Sequence, residues 1–311
     1  GLKYACAVSS GTAGLHLAMI AAGIKSGDEV ITSPFSFVAS ANSILYMNAK
    51  PVFVDIDPLT FNLDSELIEK KITPKTKMII PVHIAGLPCR MDAIYRLAEK
   101  YHLQVVDDAA HALGAYFQDR HVGFSSTAAI YSFHPNKNIT TAEGGMVASN
   151  DPELLKKIRR LIFHGIEKLA WERKESKELV YDIHSPGFKF NMPDLQASLG
   201  LHQLDKLPFF LKRRRLLSEL YEEDLKKIKH LQFQQKFDDI IHARNLFPVV
   251  LKTEKIGKTR EQIMNDLKQR GILVGIHFPA AHQFTFYQKK RFAASLPHTE
   301  YVSRNIISLP L

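Results

Sequence analysis

Short apolar runs alternate along the first half of the chain with stretches whose apolar residues return every three or four positions. The runs are KYACAV near the start, EVITS (29–33), PVFVDI (51–56), KMIIPVH (77–83), LQVVDDA (103–109) and TAAIYSF (127–133). Between them lie a helical stretch from Phe37 to Met47, a polar helix after residue 56, and MDAIYRLAEKY, where Met91, Ile94, Tyr95 and Ala98 share one helical face. Strands that are apolar throughout, separated by amphipathic helices, predict an α/β fold with a mostly parallel sheet covered on both faces. Ligands of such sheets sit beyond the carboxyl ends of the strands.

The pattern changes near residue 205. Pro193 sits where a first helical turn begins, and the helical pattern runs past Leu204. A long charged helix follows, then ARNLFPVVL as a strand, a helix from Thr259 to Arg270, and VGIHF (274–278) as another strand. The expected organisation is a large domain over residues 1–204 and a smaller α+β domain over 205–311. Both ends stop on apolar runs and read as cuts through a larger domain.

Composition narrows the class. The chain has 311 residues, 45% hydrophobic and 23% charged, as in an ordinary globular enzyme. No apolar run is long enough to cross a membrane as a helix, so no membrane insertion is expected. Two cysteines, Cys6 and Cys89, make neither a disulfide framework nor a metal spacing, and a reducing cytoplasm is the simplest home. The net charge of +9 admits nucleic acid, anionic lipid or small anions as partners. The densest basic run, KRRR (212–215), lies in a helical pattern and is accounted for by a solvated face. With no aromatic–basic interleaving and no zinc-finger spacing, no nucleic acid is expected and small anionic substrates fit better.

Four stretches carry candidate chemistry. VSSGTAGLHLAMIAAG (8–23) ends a strand, turns, and opens an apolar helix whose first N–H groups favour an anion. Simple capping by Ser10 or Thr12 explains the same residues. In SPFSFVASANSI (33–44), Phe35 and Phe37 follow a strand, and either is a core residue or a plate for a flat ligand. VVDDAAHALGA (105–115) sets Asp108 at a strand end with His111 three residues on. A buried carboxylate there needs a cation or several donors, whereas an exposed one is an N-cap. No third ligand is spaced to make a metal site. SFHPNKNITTAEGG (132–145) places Lys137 after a strand among hydroxyls and glycines. An anion cradle at Ser10–Ala13, an aromatic plate, a carboxylate and an amine are together what pyridoxal 5'-phosphate (PLP) requires. A phosphate-binding lysine without PLP is the rival reading, but no G-x-x-x-x-G-K pattern surrounds Lys137.

Those stretches, with PVFVDID, FHGI, GFKFNMPDLQASLGLHQL and SLPL, resemble the DegT-type sugar aminotransferases, PLP enzymes of the aspartate aminotransferase fold, over nearly the whole chain. The resemblance implies that Lys137 is the Schiff-base lysine and Asp108 the partner of the pyridine nitrogen. It puts His111 near the ring hydroxyl, Thr12, Ala13 and Ser132 at the phosphate, and Phe37 on the ring face. Related sugar dehydratases replace this lysine with histidine, so Lys137 implies transamination. HGIEKLAWERK, GIHFPAAHQFTFY and SLPHTEYVSRNIISLPL are similar to the subgroup that makes UDP-4-amino-4-deoxy-L-arabinose for lipid A modification. That likeness implies a UDP-4-keto-pentose as the nucleotide-sugar substrate, with glutamate as amino donor and 2-oxoglutarate as its product. Another nucleotide-linked 4-keto- or 3-keto-hexose is the neighbouring reading, and a non-catalytic PLP-fold regulator the reading of another class.

The resemblance also implies a homodimer with shared active sites. In many members the stretch at 187–192 reads GYNYRM and reaches the partner's cofactor; here it is GFKFNM, so Lys189 or Asn191 takes that place. Arg173 and His282 are candidate substrate contacts. At HARNLF (242–247), Arg244 and Asn245 stand where the family usually carries Trp-His.

Overall fold

The computed structural model describes residues 1–167, 180–183, 185–292 and 295–311. In chain order the strands are β1 (Tyr4–Val8), β2 (Glu29–Thr32), β3 (Lys50–Phe53), β4 (Thr76–Ile80), β5 (Gln104–Asp108), β6 (Tyr116–Phe117), β7 (Arg120–His121), β8 (Ala128–Ser132), β9 (Gly145–Ser149), β10 (Leu231–Phe233), β11 (Ile240–Ile241), β12 (Phe247–Leu251) and β13 (Ile306–Leu309). The α-helices are α1 (Gly11–Ala21), α2 (Ala39–Tyr46), α3 (Ser65–Ile68), α4 (Met91–Tyr101), α5 (Pro152–Leu161), α6 (Asp194–Leu225), α7 (Thr253–Ile256), α8 (Arg260–Gln269), α9 (Thr285–Lys290) and α10 (Pro297–Asn305).

The main sheet has seven strands in the order β1-β9-β8-β5-β4-β2-β3. β2 to β5 and β8 pair in parallel, while β9 runs antiparallel between β1 and β8. The sheet is thus mixed but mostly parallel, and the fold is α/β. Alternation along the strands fills both faces. Val30, Met78, Ile80 and Val106 pack with Leu15, Leu17 and Met19 of α1 and Leu154 and Ile158 of α5. Ile31, Ile79 and Val105 point the other way, against Met91, Ile94 and Ala98 of α4. Three of the four residues expected on the inner face of α4 are therefore in the core; the fourth, Tyr95, is half-buried and its hydroxyl meets Ser126 at 3.0 Å. α1 lies close on the sheet, because a Cβ on Gly14 would come within 2.9 Å of Ile130 Cγ2.

Two expectations are corrected here. The expected alternation contains no strand at 145–149, yet β9 completes the sheet there. VGIHF is not a strand: Gly275 alone bridges to Ser308, with N–H to carbonyl distances of 3.1 and 2.8 Å. The edge place beside β12 is taken by β13, and the chain beyond Gly275 turns away, so His277 Nδ1 meets Ser308 Oγ at 3.0 Å. β10, β12 and β13 form a three-stranded antiparallel sheet that packs on Tyr221 and Leu225 of α6 and on Ile263, Met264 and Leu267 of α8. α6 runs unbroken over 32 residues, across positions 204 and 205 and through Pro208. A proline inside a helix forfeits one backbone bond, which the length of α6 on either side tolerates.

The consequence for function is geometric. β1, β2, β4, β5 and β8 all end at one edge of the sheet. Ser10 follows β1, Ser36 and Phe37 follow β2, Val82 follows β4, Asp108 ends β5 and Ser132 ends β8.

Candidate active site

Those strand ends enclose a cavity of about 310 Å³. Ser10, Gly11 and Thr12 line one side; Ser36, Phe37, Asp108, His111, Ser132 and Lys137 line the rest, with Phe278 arriving from the C-terminal part of the chain. Lys137, Asp108, His111, Thr12, Phe37 and Ser132, expected from the sequence, therefore converge on one volume. The choice between the two phenylalanines is resolved by burial. Phe35 is fully enclosed in a core cluster, whereas Phe37 is 61% exposed at the cavity.

Asp108 is held by the main chain and by a hydroxyl. Its N–H donates to Pro81 O at 2.9 Å, and the His83 N–H donates to its carbonyl at 3.2 Å. Ser40 Oγ donates to Oδ2 at 2.6 Å and the Ala110 N–H to Oδ1 at 3.2 Å. Burial raises its pKa; those two donors and the charges of Lys137 and His83 oppose the rise. The preceding residue, Asp107, alternates to the opposite face of the strand. It accepts from Ser126 Oγ at 2.7 Å and lies 3.4 Å from His83 Nε2. The two adjacent carboxylates are thus separated by the strand period, and only Asp108 faces the cavity.

Lys137 sits in a turn closed by its own N–H to His134 O, 2.9 Å. Burial pushes its amine down to about 8, and the Asp108 carboxylate partly offsets that. His111 is held neutral, well below its ordinary value, by burial and then by the positive charges of Lys137 and His277. Its ring stacks on Phe278, centroids 5.7 Å apart and planes 9° from parallel, and its buried Nδ1 has no partner.

The anion cradle is built by α1. Ser10 is the N-cap, and its Oγ accepts the Ala13 N–H at 3.1 Å, so Ala13 serves the cap and does not line the cavity. Gly11 and Thr12, in the first turn, have no intrahelical acceptors for their N–H groups. β9 closes tightly behind them: a Cβ on Gly145 would stand 2.6 Å from Ser10 C and 2.7 Å from Gly11 N. Capping by Ser10 thus uses the Ala13 N–H and leaves those of Gly11 and Thr12 available to an anion.

Other expected residues lie elsewhere. Lys189 places Nζ over the Phe163 ring, 4.0 Å from its centroid, and Asn191 bridges to Val8. Neither lines the cavity of its own chain. His282 is buried with Nε2 3.4 Å from Glu300 Oε1, away from the cavity lining. Arg173 lies outside the described residues. Phe278, His134, Asn136 and Glu143 line the cavity and Ser40 holds Asp108, though none of the five is expected there from the sequence. Ser40 stood within the quoted SPFSFVASANSI, and a hydroxyl one helical turn beyond Phe37 is the signal that could have found it. Phe278 comes from a segment expected to be a strand, so nothing pointed it at the cavity.

PLP fits this arrangement. The cavity is lined by the first turn of α1, a buried carboxylate and a depressed-pKa amine, together with aromatic faces and an unpartnered imidazole nitrogen. The class so defined is a PLP-dependent aminotransferase of fold type I. Comparison with known proteins agrees. The model of the DegT/DnrJ/EryC1/StrS aminotransferase family matches residues 1–311. Uncharacterized protein MJ1066 of Methanocaldococcus jannaschii is 42% identical over 315 residues, covering 100% of this chain and 81% of the relative. Helicobacter pylori PseC, an aminotransferase involved in the biosynthesis of pseudoaminic acid, superposes with a TM-score of 0.92 at 32% identity, covering 100% of this chain and 82% of PseC. Spr1654 of Streptococcus pneumoniae in its PMP-form gives a TM-score of 0.92 at 31% identity, covering 100% and 83%; its PLP-form gives 0.91. The chain belongs to the DegT/DnrJ/EryC1/StrS aminotransferase family, and its cofactor is pyridoxal phosphate.

Proposed function

We propose that the chain moves an amino group from glutamate to a nucleotide-linked 4-keto-sugar, with a UDP-4-keto-pentose as the first candidate. The convergence of Lys137 and Asp108 on one cavity, against the N-terminus of α1, carries the transaminase reading. The kinship with PseC, which serves the biosynthesis of pseudoaminic acid, supports an amino sugar as product. The motif likeness of the HGIEK, GIHFPAAH and SLPHTEY stretches supports the pentose.

When bound, PLP supplies an electron sink for the carbon that loses a proton. In this reading Gly11 and Thr12 hold its phosphate with their N–H groups, aided by the hydroxyls of Thr12 and Ser132. Asp108, kept in orientation by Ser40 and Ala110, holds the ring nitrogen protonated. Phe37 covers a ring face, and the stacked His111 and Phe278 keep water from it. Lys137 attaches the cofactor and, once substrate has displaced it, moves the proton as general base, a role suited to an amine near pH 8. Reduction of the holoenzyme with borohydride followed by peptide mapping tests the assignment. The cofactor is expected on Lys137 and nowhere else, and Lys137→Ala is expected to lose both the adduct and the turnover. An adduct on another lysine refutes the role of Lys137. A panel of UDP-, GDP- and dTDP-4-keto-sugars tests the substrate, with the highest kcat/KM expected for the UDP-4-keto-pentose.

We also propose that the active unit is a homodimer in which Lys189 or Asn191 completes the partner's phosphate site. Exposed apolar residues on α6 support it, as does the absence of both residues from the cavity lining of their own chain.

A further inference from the structure

By the resemblance, the Arg-Asn pair at 244–245 stands where the family usually carries Trp-His, and the structure gives the asparagine a specific place. Asn245 is 3% exposed and Asn138 6% exposed. Asn245 Nδ2 donates to the Asn136 carbonyl at 3.1 Å and to Asn138 Oδ1 at 3.3 Å. Asn138 Nδ2 donates back to the Ala243 carbonyl at 3.0 Å. The residues bonded in the turn are the two neighbours of Lys137, one on each side. The segment that grips them is itself fixed. The Ala243 N–H donates to Gly86 O at 2.9 Å, the Asn245 N–H to Ala85 O at 2.9 Å, and Arg214 Nη1 of α6 to the Asn245 carbonyl at 3.2 Å. Arg244 points the other way and pairs with Glu222 at 2.8 Å, which leaves Asn245 alone to face the turn.

Asn245 Nδ2 spends both of its hydrogen bonds on the two residues beside one reactive lysine, while its buried Oδ1 makes none, so it is the amide nitrogen that engages the turn. We propose that Asn245, acting with Asn138, is a positioning residue for Lys137: the two amides clasp the chain on both sides of the lysine and fix how far its amine is drawn into the cavity. The inference rests on the reading of Lys137 as the cofactor lysine. Loosening the clasp lets the turn move toward water and releases the burial that depresses the amine.

The test is a spectrophotometric pH titration of the cofactor bonded to Lys137 in the holoenzyme, run beside borohydride mapping and thermal melting. Asn245→Ala is expected to move the titration midpoint by about one pH unit or more. Arg260→Ala serves as a control; it removes a hydrogen bond to the Ser303 carbonyl in the smaller sheet's helical layer and is expected to lower Tm without moving the midpoint. A lowered Tm with an unmoved midpoint in Asn245→Ala overturns the proposal. If that variant does not fold, Asn138→Ser cuts the same clasp from the other side, and an unmoved midpoint there overturns it equally. Failure of the wild-type holoenzyme to give an adduct at Lys137 refutes the underlying assignment instead, so the two failures are distinguishable.

Discussion

At the scale of single residues the site depends on two groups whose charges are set by burial and by each other. The Lys137 amine, at about 8, is neutral to a useful extent near physiological pH, whereas an ordinary lysine at 10.5 is not. Because only the neutral amine attacks the cofactor's aldehyde, the rate of cofactor capture by apoenzyme is expected to rise with pH and level off above about 8; stopped-flow absorbance across pH 6 to 10 reads it. The linkage has a definite sign. A folded pKa below the unfolded one means that the unfolded chain binds more protons between about 8 and 10.5, so the burial cost is fully present below about 8 and is relieved as pH rises through that window. Asp108→Asn keeps the shape but not the charge, and is expected to lower kcat by at least about 100-fold with cofactor still bound through its phosphate. Near-normal turnover in that variant refutes the role. Asp108 and Lys137 were legible in the sequence because the first ends an apolar strand and the second follows one in a turn, each beside a distinctive neighbour. The partners of Ser40 and Asn245 were not, because a buried hydroxyl or amide has no pattern until its partner, 68 or 107 residues away in sequence, is brought to it.

At the scale of elements, the site is a property of where strands stop. The parallel strands were readable because both faces are covered, which makes each an apolar run, and α4 was readable from its period. β9 escaped because its first residue, Gly145, continues a Glu-Gly-Gly sequence that reads as a turn. The glycine is there for a physical reason: β9 must pass against the first turn of α1, where no Cβ fits. Gly145→Ala is therefore expected to push Ser10 and Gly11 outward. Overpacking of this kind costs about 1–3 kcal/mol, and the displaced N–H groups would weaken cofactor binding as well. Thermal melting with and without PLP separates the effects: the stabilisation conferred by PLP should shrink, beyond the drop in apoenzyme Tm. An unchanged PLP increment would mean that the cradle tolerates the methyl group and that the close approach does not govern phosphate binding. VGIHF failed as a strand for the complementary reason. Phe278 is spent on lining the cavity and Ile276 on the core around Phe35 and Phe61, so only Gly275 is left to bridge to β13.

At the scale of the whole molecule, the long helix α6 exposes large apolar side chains. Leu195 and Leu201 on α6 are 84% and 67% exposed, and Phe209 is 68% exposed. Clustered apolar exposure on a helix marks an interaction surface. A second copy is the expected occupant, since a two-fold interface pairs a patch with itself, and in the proposed dimer it would bring each chain's 189–191 segment to the other's cradle. Light scattering on the purified protein is expected to give the mass of two chains, and Leu195→Glu with Leu201→Glu to give one, with loss of cofactor affinity. Sharing of sites needs a sharper test than mass, because a dimer of self-sufficient sites would give the same result. One preparation carries Lys137→Ala; a second carries Lys189→Ala and Asn191→Ala together; each is expected to be inactive or nearly so alone. If sites are shared, a mixed dimer contains one site with both defects and one site with neither. Random re-association of equal amounts makes half the dimers mixed, so about a quarter of wild-type activity should return. If each chain completes its own site, every site in the mixture keeps one defect and nothing returns. Recovery near zero, with mixed dimers demonstrated by mass, would show that Lys189 and Asn191 act within their own chain.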